Sequence, residues 1–439
     1  MRYAHTVEQV RAAEAAVMPT LPDGALMQRA AAGLATACAD LLGQVYGARV
    51  LVLAGSGSNG GDALYAAARL AGRGARVEAV LLSESAHPGG LTEFRRAGGR
   101  VLKEPGDVDL VLDGIVGIGG RGGLDDRAAG LAAALSAPVV AVDVPSGIEV
   151  DTGQLSGPHV DAAVTVTFGT HKVGLLLDPA AAAAGSVELV DIGLEPYLGD
   201  PVVEVLQASD VRRLLPTPTR DAQKYSRGVL GIAAGSPQYT GAGLLVTSAA
   251  AAAGFAGMIR YDGGAEALVR SQHPDVVIGP GQVQAWVTGS GMGDDEHDTV
   301  RRVLAEGLPT VVDAGGLAAL PSRCSSPVVL TPHAGELARM LAWERSAVEA
   351  QMFRAATTAA MQWDAVVLLK GARTVIAAPD GRVRVNPTGV PWLATAGAGD
   401  VLAGVIASLL AADLDCFDAA SVGAWLHGSA ATLVGGPMS

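Results

Sequence analysis

The feature that most constrains this chain is an aliphatic strand that breaks into glycines and runs straight into a helix. Val50-Leu51-Val52-Leu53 leads through Ala54-Gly55-Ser56-Gly57-Ser58-Asn59-Gly60-Gly61-Asp62 into the helical run Ala63 to Leu70. A strand that feeds a helix returns to the sheet as a parallel neighbour, so the pattern predicts βαβ units. The loop also implies a chemistry. Glycines let the backbone approach an anion closely, and the helix N-terminus adds N–H donors and partial positive charge. A comparable string, Ala394-Thr395-Ala396-Gly397-Ala398-Gly399-Asp400, enters the helical run Val401 to Leu410 near the other end.

Further aliphatic runs extend the alternation. Arg49 to Leu53 is followed by Val77 to Leu82, Leu110 to Leu112, Val139 to Val142 and Val164 to Phe168, which predicts a Rossmann-like, doubly wound parallel sheet. The pattern stops around Asp191-Ile192-Gly193-Leu194-Glu195-Pro196, and Leu214-Leu215-Pro216-Thr217-Pro218-Thr219 carries the proline punctuation of a linker region. A second α/β series follows with Val229 to Ala233, Asp275 to Ile278, Trp286-Val287, Thr310 to Val312, Val328 to Leu330 and Val366 to Leu369. A chain of 439 residues suits two cores, and domains are expected over 1–205 and 206–439.

Composition narrows the function. With 58 glycines and only 4% aromatic residues, the layers must be packed from Ala, Val and Leu. A net charge of -13 argues against a nucleic-acid binder, because that affinity rests on Lys and Arg neutralising phosphates. Cys38, Cys324 and Cys416 stand far apart without metal-ligand spacing, so neither zinc nor a disulfide framework is expected and the cytoplasm is the natural compartment. Met1-Arg2-Tyr3-Ala4-His5 lacks the apolar stretch of a secretory signal. The apolar tract Ala249 to Ile259 is too short for a bilayer and is expected to be a buried helix.

Two more loops in the first half place acids at strand ends: Asp113-Gly114-Ile115-Val116-Gly117-Ile118-Gly119-Gly120-Arg121-Gly122 and Val142-Asp143-Val144-Pro145-Ser146-Gly147. Either aspartate alone could be a helix cap or turn former. With all three loops present, Asn59, Asp113 and Ser146 offer hard oxygen ligands suited to an alkali or alkaline-earth ion. These loops, with Phe168-Gly169-Thr170-His171-Lys172, resemble the NAD(P)H-hydrate epimerases over roughly residues 5 to 195. The resemblance implies a potassium ion held by Asn59, Asp113 and Ser146. It also implies a hydrated dinucleotide contacting Ser58, Asn59, Gly60, Gly61, Asp62, the loop Gly117, Ile118, Gly119, Gly120, Arg121, Gly122 and Gly123, and Asp143. Ser58 and Ala63 stand at the first and last positions of the family's Asn-Asn-Gly-Gly-Asp-Gly. Asp143 is the candidate acid/base. Lys172 is either a second proton handler or a neutraliser of substrate phosphate.

In the second half, Gly397 and Gly399 would present N–H groups to phosphate oxygens, while Asp400 could take a proton from a hydroxyl facing that phosphate. Lys370-Gly371-Ala372-Arg373-Thr374 follows a strand and adds phosphate contacts. These strings, with Lys224-Tyr225-Ser226-Arg227-Gly228, Gln238-Tyr239-Thr240-Gly241-Ala242, Thr288-Gly289-Ser290-Gly291-Met292-Gly293 and Leu330-Thr331-Pro332-His333-Ala334-Gly335-Glu336, resemble the ADP-dependent NAD(P)H-hydrate dehydratases of ribokinase-like fold over about 208 to 436. By that resemblance the nucleotide lies along 370 to 374 and 390 to 399, touching Lys370, Gly371, Ala372, Arg373, Thr374, Gly397, Ala398 and Gly399. Ala242, Gly291, His333 and Asp400 then face the substrate. Gly315 stands where the family reads the second Asp of Asp-Ala-Asp, Val390 where it has Asn, and Ala398 where Thr is common.

The joint expectation is a bifunctional NAD(P)H-hydrate repair enzyme. One half interconverts the R and S hydrates. The other dehydrates the S hydrate with ADP and Mg²⁺, releasing AMP and phosphate. The expected partners are hydrated NADH and NADPH, ADP, and further copies of the chain in a homo-oligomer, with neither nucleic acid nor membrane. The alternative is a ribokinase-like small-molecule kinase fused to a ligand-binding Rossmann-like domain.

Overall fold

The computed structural model describes residues 1–134 and 136–436. Leu135 and the last three residues of the expected second domain, Pro437 to Ser439, lie outside the described residues. The chain divides into two compact units, Tyr3–Val203 and Met1–Arg2 with Glu204–Ser439. Each is α/β, as expected. Among the described residues no helix is long and apolar enough to cross a membrane.

The first unit is built on a parallel sheet in the spatial order Arg100–Leu102, Arg76–Leu81, Arg49–Ala54, Leu110–Gly114, Val139–Val142, Val164–Phe168, Ser186–Val190. Side chains alternate between its faces. Val50, Val52, Leu110 and Leu112 pack into one core with Leu34, Ala66 and Leu70. Leu51, Leu53, Val80 and Val111 fill the other. The strand Arg49–Ala54 has its next strand in sequence on one side and Leu110–Gly114 on the other, so the winding reverses between them. Such a reversal leaves a crevice beyond the strand C-termini, where ligands of this architecture bind. Asn59, Asp143 and Ser146 follow strand ends on that side, Asp113 is next to last in Leu110–Gly114, and Lys172 closes the two-residue strand His171–Lys172 just beyond Val164–Phe168.

The second unit repeats the logic. Its strands run Val277–Ile278, Met258–Tyr261, Val229–Ala233, Ala285–Thr288, Thr310–Val312, Val328–Leu330, Val366–Leu369, parallel throughout, then Thr374–Ala377 and Val383–Asn386 antiparallel. The reversal lies between Val229–Ala233 and Ala285–Thr288. The helix Ala398–Ala411 packs on Thr240–Ala253 so closely that a methyl on Gly404 would stand 2.4 Å from the Val246 carbonyl oxygen.

Three local expectations change. The first helix of the glycine-rich motif starts at Ser58 and spans Ser58–Gly72, so Ser58 to Asp62 form its opening turn and not a loop before it. The tract Ala249 to Ile259 is not one helix. Gly254, at φ 69°, ends the helix Thr240–Ala253, and the chain enters the strand Met258–Tyr261. The strand expected over Asp275 to Ile278 shortens to Val277–Ile278, because the Val276 N–H closes a turn onto the His273 carbonyl at 3.1 Å.

Candidate active sites

In the first unit, Asp113 ends its strand fully buried. Its carboxylate accepts the Ser146 backbone N–H at 2.8 Å, the Ser146 hydroxyl at 2.6 Å and the Ile115 N–H at 3.3 Å. Burial nevertheless pushes its pKa up to about 6. None of the causes of that shift is a cationic side chain. Asn59 abuts the same loop, since a methyl on Gly117 would lie 2.9 Å from its Oδ1, and its buried Nδ2 has no partner. Ser146 Oγ accepts the Val116 N–H at 3.0 Å. The three expected ion ligands therefore converge on residues 113 to 117. A buried carboxylate with no ion pair among the described residues, beside a hydroxyl and an amide, is an oxygen donor set that fits a potassium ion.

Asp143 sits at φ 68°, a left-handed conformation rare for a residue with a side chain. Its Oδ1 accepts from Lys172 Nζ at 2.5 Å, Thr167 Oγ1 at 3.1 Å and the Phe168 N–H at 3.1 Å. Lys172 is almost wholly buried, and it also donates to the Phe168 carbonyl at 2.8 Å and to Thr167 Oγ1 at 3.0 Å. Those three acceptors use all three ammonium hydrogens. Parallel pairing of Ala4 with His171 and His5 with Lys172 fixes the lysine backbone.

A cavity of about 760 Å³ opens over this cluster, lined among others by Ser58, Asn59, Asp62, Gly117, Asp143 and Lys172. Ile118 and Gly119 border both it and a recess of about 540 Å³ that takes in Gly120, Arg121 and Gly122. Gly60 and Gly61 support the wall from behind. A methyl on Gly60 would lie 2.3 Å from the Gly55 carbonyl oxygen, and one on Gly61 2.8 Å from the His87 ring. Gly123 ties its loop to the Gly147 carbonyl through a 2.7 Å hydrogen bond. Ala63 is buried where the family has glycine, and its methyl packs against Gly114.

In the second unit, Asp400 lies in the first turn of Ala398–Ala411, whose cap Gly397 takes φ 89°. Burial raises the Asp400 pKa, as does the charge of Asp313, while a hydrogen bond from Ser290 and the charge of Lys370 oppose the rise. Asp313 accepts from Lys370 Nζ at 3.0 Å, Thr331 Oγ1 at 2.8 Å and Ser290 Oγ at 3.3 Å. Gly399 belongs to this cluster, because a methyl there would be 3.3 Å from Lys370 Nζ. Gly291, at φ 65°, lies against Ala242. The Lys370 N–H donates to the Pro332 carbonyl at 2.9 Å, joining the loops that carry Lys370 and His333. His333 caps the helix Ala334–Leu341: its Nδ1 accepts the Gly335 and Glu336 N–H groups at 3.0 and 3.2 Å. Gly371, Ala372 and Arg373 turn directly into the strand Thr374–Ala377. Gly315 leaves no room for the family's second aspartate on this backbone, since any Cβ would stand 1.9 Å from the Met292 carbonyl oxygen.

Sequence reading passed over Asp313, Ser290 and Thr331 as site residues. An acid directly after the strand Thr310–Val312 was the available signal. It also passed over Glu14 and His87, which line the first cavity from elements that carry no glycine motif.

Two α/β units, each with acids and a lysine gathered beyond its strand C-termini, define a two-site α/β protein. The family model described as "NAD(P)H-hydrate dehydratase" matches residues 230–435, and that of the "YjeF-related protein N-terminus" matches 23–174. The bifunctional NAD(P)H-hydrate repair enzyme of Mycobacterium leprae is 46% identical over 455 residues, covering 99% of this chain and 94% of the relative. That of Mycobacterium tuberculosis (strain H37Rv) is also 46% identical, over 96% of this chain and 92% of its own length. A solved structure, the ADP/ATP-dependent NAD(P)H-hydrate dehydratase from Bacillus subtilis co-crystallized with ATP/Mg²⁺, is 30% identical with a TM-score of 0.49 over 52% of this chain and 88% of that one. The chain belongs to the bifunctional NAD(P)H-hydrate repair enzymes.

Proposed function

We propose that this chain returns hydrated NADH and NADPH to the reduced cofactors, with epimerisation in residues 1–205 and nucleotide-dependent dehydration in 206–439. The observation that carries the reading is two separate acid–lysine clusters in one chain, Asp143 with Lys172 and Asp400 with Asp313 and Lys370. A kinase fused to a binding domain would not need the first cluster. The three free cysteines fit a cytoplasmic setting, and a homo-oligomer remains the expected assembly.

In the dehydratase site, Asp400 takes the proton of the substrate hydroxyl. Phosphorylation converts that hydroxyl to a leaving group, the adjacent ring nitrogen's lone pair expels phosphate, and the neighbouring ring carbon then gives up a proton to solvent or phosphate, which restores the ring double bond of the reduced cofactor. Gly397 to Gly399 direct backbone N–H groups at the transferred phosphoryl, and Lys370, tethered by Asp313, adds a fixed positive charge. Residues 370 to 374 and 390 to 399 hold the nucleotide, while Ala242, Gly291 and His333 border the substrate. Mg²⁺ would neutralise phosphate charge during transfer.

In the epimerase site, Asp143 is the proton acceptor, and Lys172 orients it. Ser58 to Asp62 and Gly117 to Gly123 hold the dinucleotide. A potassium ion on Asn59, Asp113 and Ser146 would supply the countercharge that Asp113 lacks. Asp113→Ala is therefore expected to lower epimerisation at least tenfold, with excess K⁺ failing to restore it, since a positioned charge of this kind is worth about 2–4 kcal/mol. Unchanged interconversion of the stereoisomers would remove the ion site.

The decisive assay incubates the full chain with mixed NADH hydrates and ADP or ATP, and follows stereoisomer ratio, reduced-cofactor absorbance and nucleotide product. ADP is the expected donor, because an extra phosphoryl would occupy the place of the substrate hydroxyl. Misplacement of about 1 Å costs on the order of 100-fold, so ADP should outpace ATP by up to about that factor, with AMP and phosphate formed in step with reduced cofactor. Equal rates would show a pocket that tolerates the longer chain and would end the ADP-specific assignment.

A further inference from the structure

The helix Val7–Val17 contributes one carboxylate, Glu14, to the wall of the first cavity, which it shares with Asp62, Asp143 and Lys172. Glu14, Asp62 and Asp143 all feel the charge of one ammonium, Lys172, and that ammonium is committed. The three Lys172 hydrogens are taken by Asp143, Thr167 and the Phe168 carbonyl, so it has none to offer a substrate. Asp62 is nine-tenths buried, and its Oδ1 is sealed without a hydrogen-bond partner. Glu14 is only half-buried, so it can exchange protons with solvent. Burial, and then the charge of Asp143, raise the Glu14 pKa, against weaker opposing effects of Lys172 and Arg11. Burial and the charges of Asp143 and Glu14 raise that of Asp62 further. The other titratable groups in the cavity are Arg11 on the same helix, Asp23, Tyr65 and His87. The short turn Glu195–Tyr197 packed against the helix adds Glu195 and Tyr197.

We infer that Glu14 is the proton donor that complements Asp143 in stereoisomer interconversion, an inference that rests on the epimerase reading above. The hydrated ring carries its hydroxyl on a carbon bonded to nitrogen. Asp143 takes the hydroxyl proton as the carbon–oxygen bond becomes a carbonyl and the carbon–nitrogen bond breaks. The electron pair of that bond goes to nitrogen, which receives its proton from Glu14. Attack of the N–H nitrogen on the opposite face of the carbonyl closes the ring, returning one proton to Glu14 and the other, through Asp143, to oxygen. Both carboxyl groups end as they began, and no oxidant, reductant or co-reactant is consumed. A carboxylate paired with a buried lysine, sharing one cavity with a carboxyl whose pKa burial raises, is the division of labour that such a reversal needs.

The test uses the full chain and separated R and S hydrates of NADH without added nucleotide, so that dehydration does not drain the mixture, and subtracts the spontaneous rate. The wild-type rate is expected to fall on the alkaline side as Glu14 loses its proton. Glu14→Gln should lower kcat by about 100-fold, leave KM nearly unchanged and remove the alkaline limb. Glu14→Asp should restore that limb at an intermediate rate, which a merely structural role would not produce. A Glu14→Gln protein with wild-type kcat, or with the alkaline limb intact, overturns the inference. Absence of interconversion in the wild-type chain overturns the epimerase reading instead.

Discussion

Asp400→Asn is expected to cut dehydration by about 10²–10⁴-fold, the usual worth of a positioned general base, while stereoisomer interconversion continues at the wild-type rate. The residue lies in the first turn of its helix beside Asp313, Ser290 and Lys370. The amide keeps the shape and loses the proton acceptor. The wild-type enzyme should show the matching pH signature. Burial and Asp313 raise the Asp400 pKa, and a general base works only when ionised. Dehydration should therefore climb with pH through an acid limb that lies above the ordinary carboxylate range. Parallel assays of reduced-cofactor formation and stereoisomer ratio on one preparation decide the matter. Loss of both activities in a folded Asp400→Asn protein would refute two independent sites.

Lys172→Met carries the second large effect, on stability as well as activity. Lys172 is about as buried as the core leucines, and its ammonium pairs with Asp143. Removing one member of such a pair strands the other charge, at a cost of about 3–5 kcal/mol. Denaturant unfolding of the Tyr3–Val203 unit, followed within the full chain, should shift accordingly, and epimerisation should be lost. Adding Asp143→Asn removes the stranded charge and suits the φ of 68°, which asparagine tolerates. The double variant should regain most of the stability and none of the activity. A single variant within about 1 kcal/mol of wild type would show that the pair is solvated or dispensable.

Much of this was legible in the chain. The strands Val139–Val142, Val164–Phe168, Val229–Ala233, Thr310–Val312, Val328–Leu330 and Val366–Leu369 stand where their aliphatic runs predict, because a parallel strand buried on both faces is apolar or β-branched along nearly its whole length. The other edge strands were not legible, because Arg100–Leu102 and Ser186–Val190 alternate with exposed or charged residues, and the run Asp275 to Ile278 overstated its strand, because a turn closes at Val276. The glycine loops disclosed where the helices Ser58–Gly72 and Ala398–Ala411 begin, since that signal is carried by consecutive residues.

What the sequence by itself determined is therefore the local part: α/β alternation, two glycine-rich helix N-termini, acids at the strand ends at Asp113 and Asp143, and Asp400 in the first turn of its helix. The tertiary structure alone decided which of these groups share an environment. Asp313, just after Thr310–Val312, comes within electrostatic reach of Asp400 on its helix, Lys172 spends its hydrogens on Asp143 and its surroundings, and Glu14 arrives from a helix with no motif. The reason is physical. Backbone conformation follows from near neighbours, but the protonation and reach of a buried carboxyl depend on burial and on charges brought close by sheet winding, often from more than a hundred residues away.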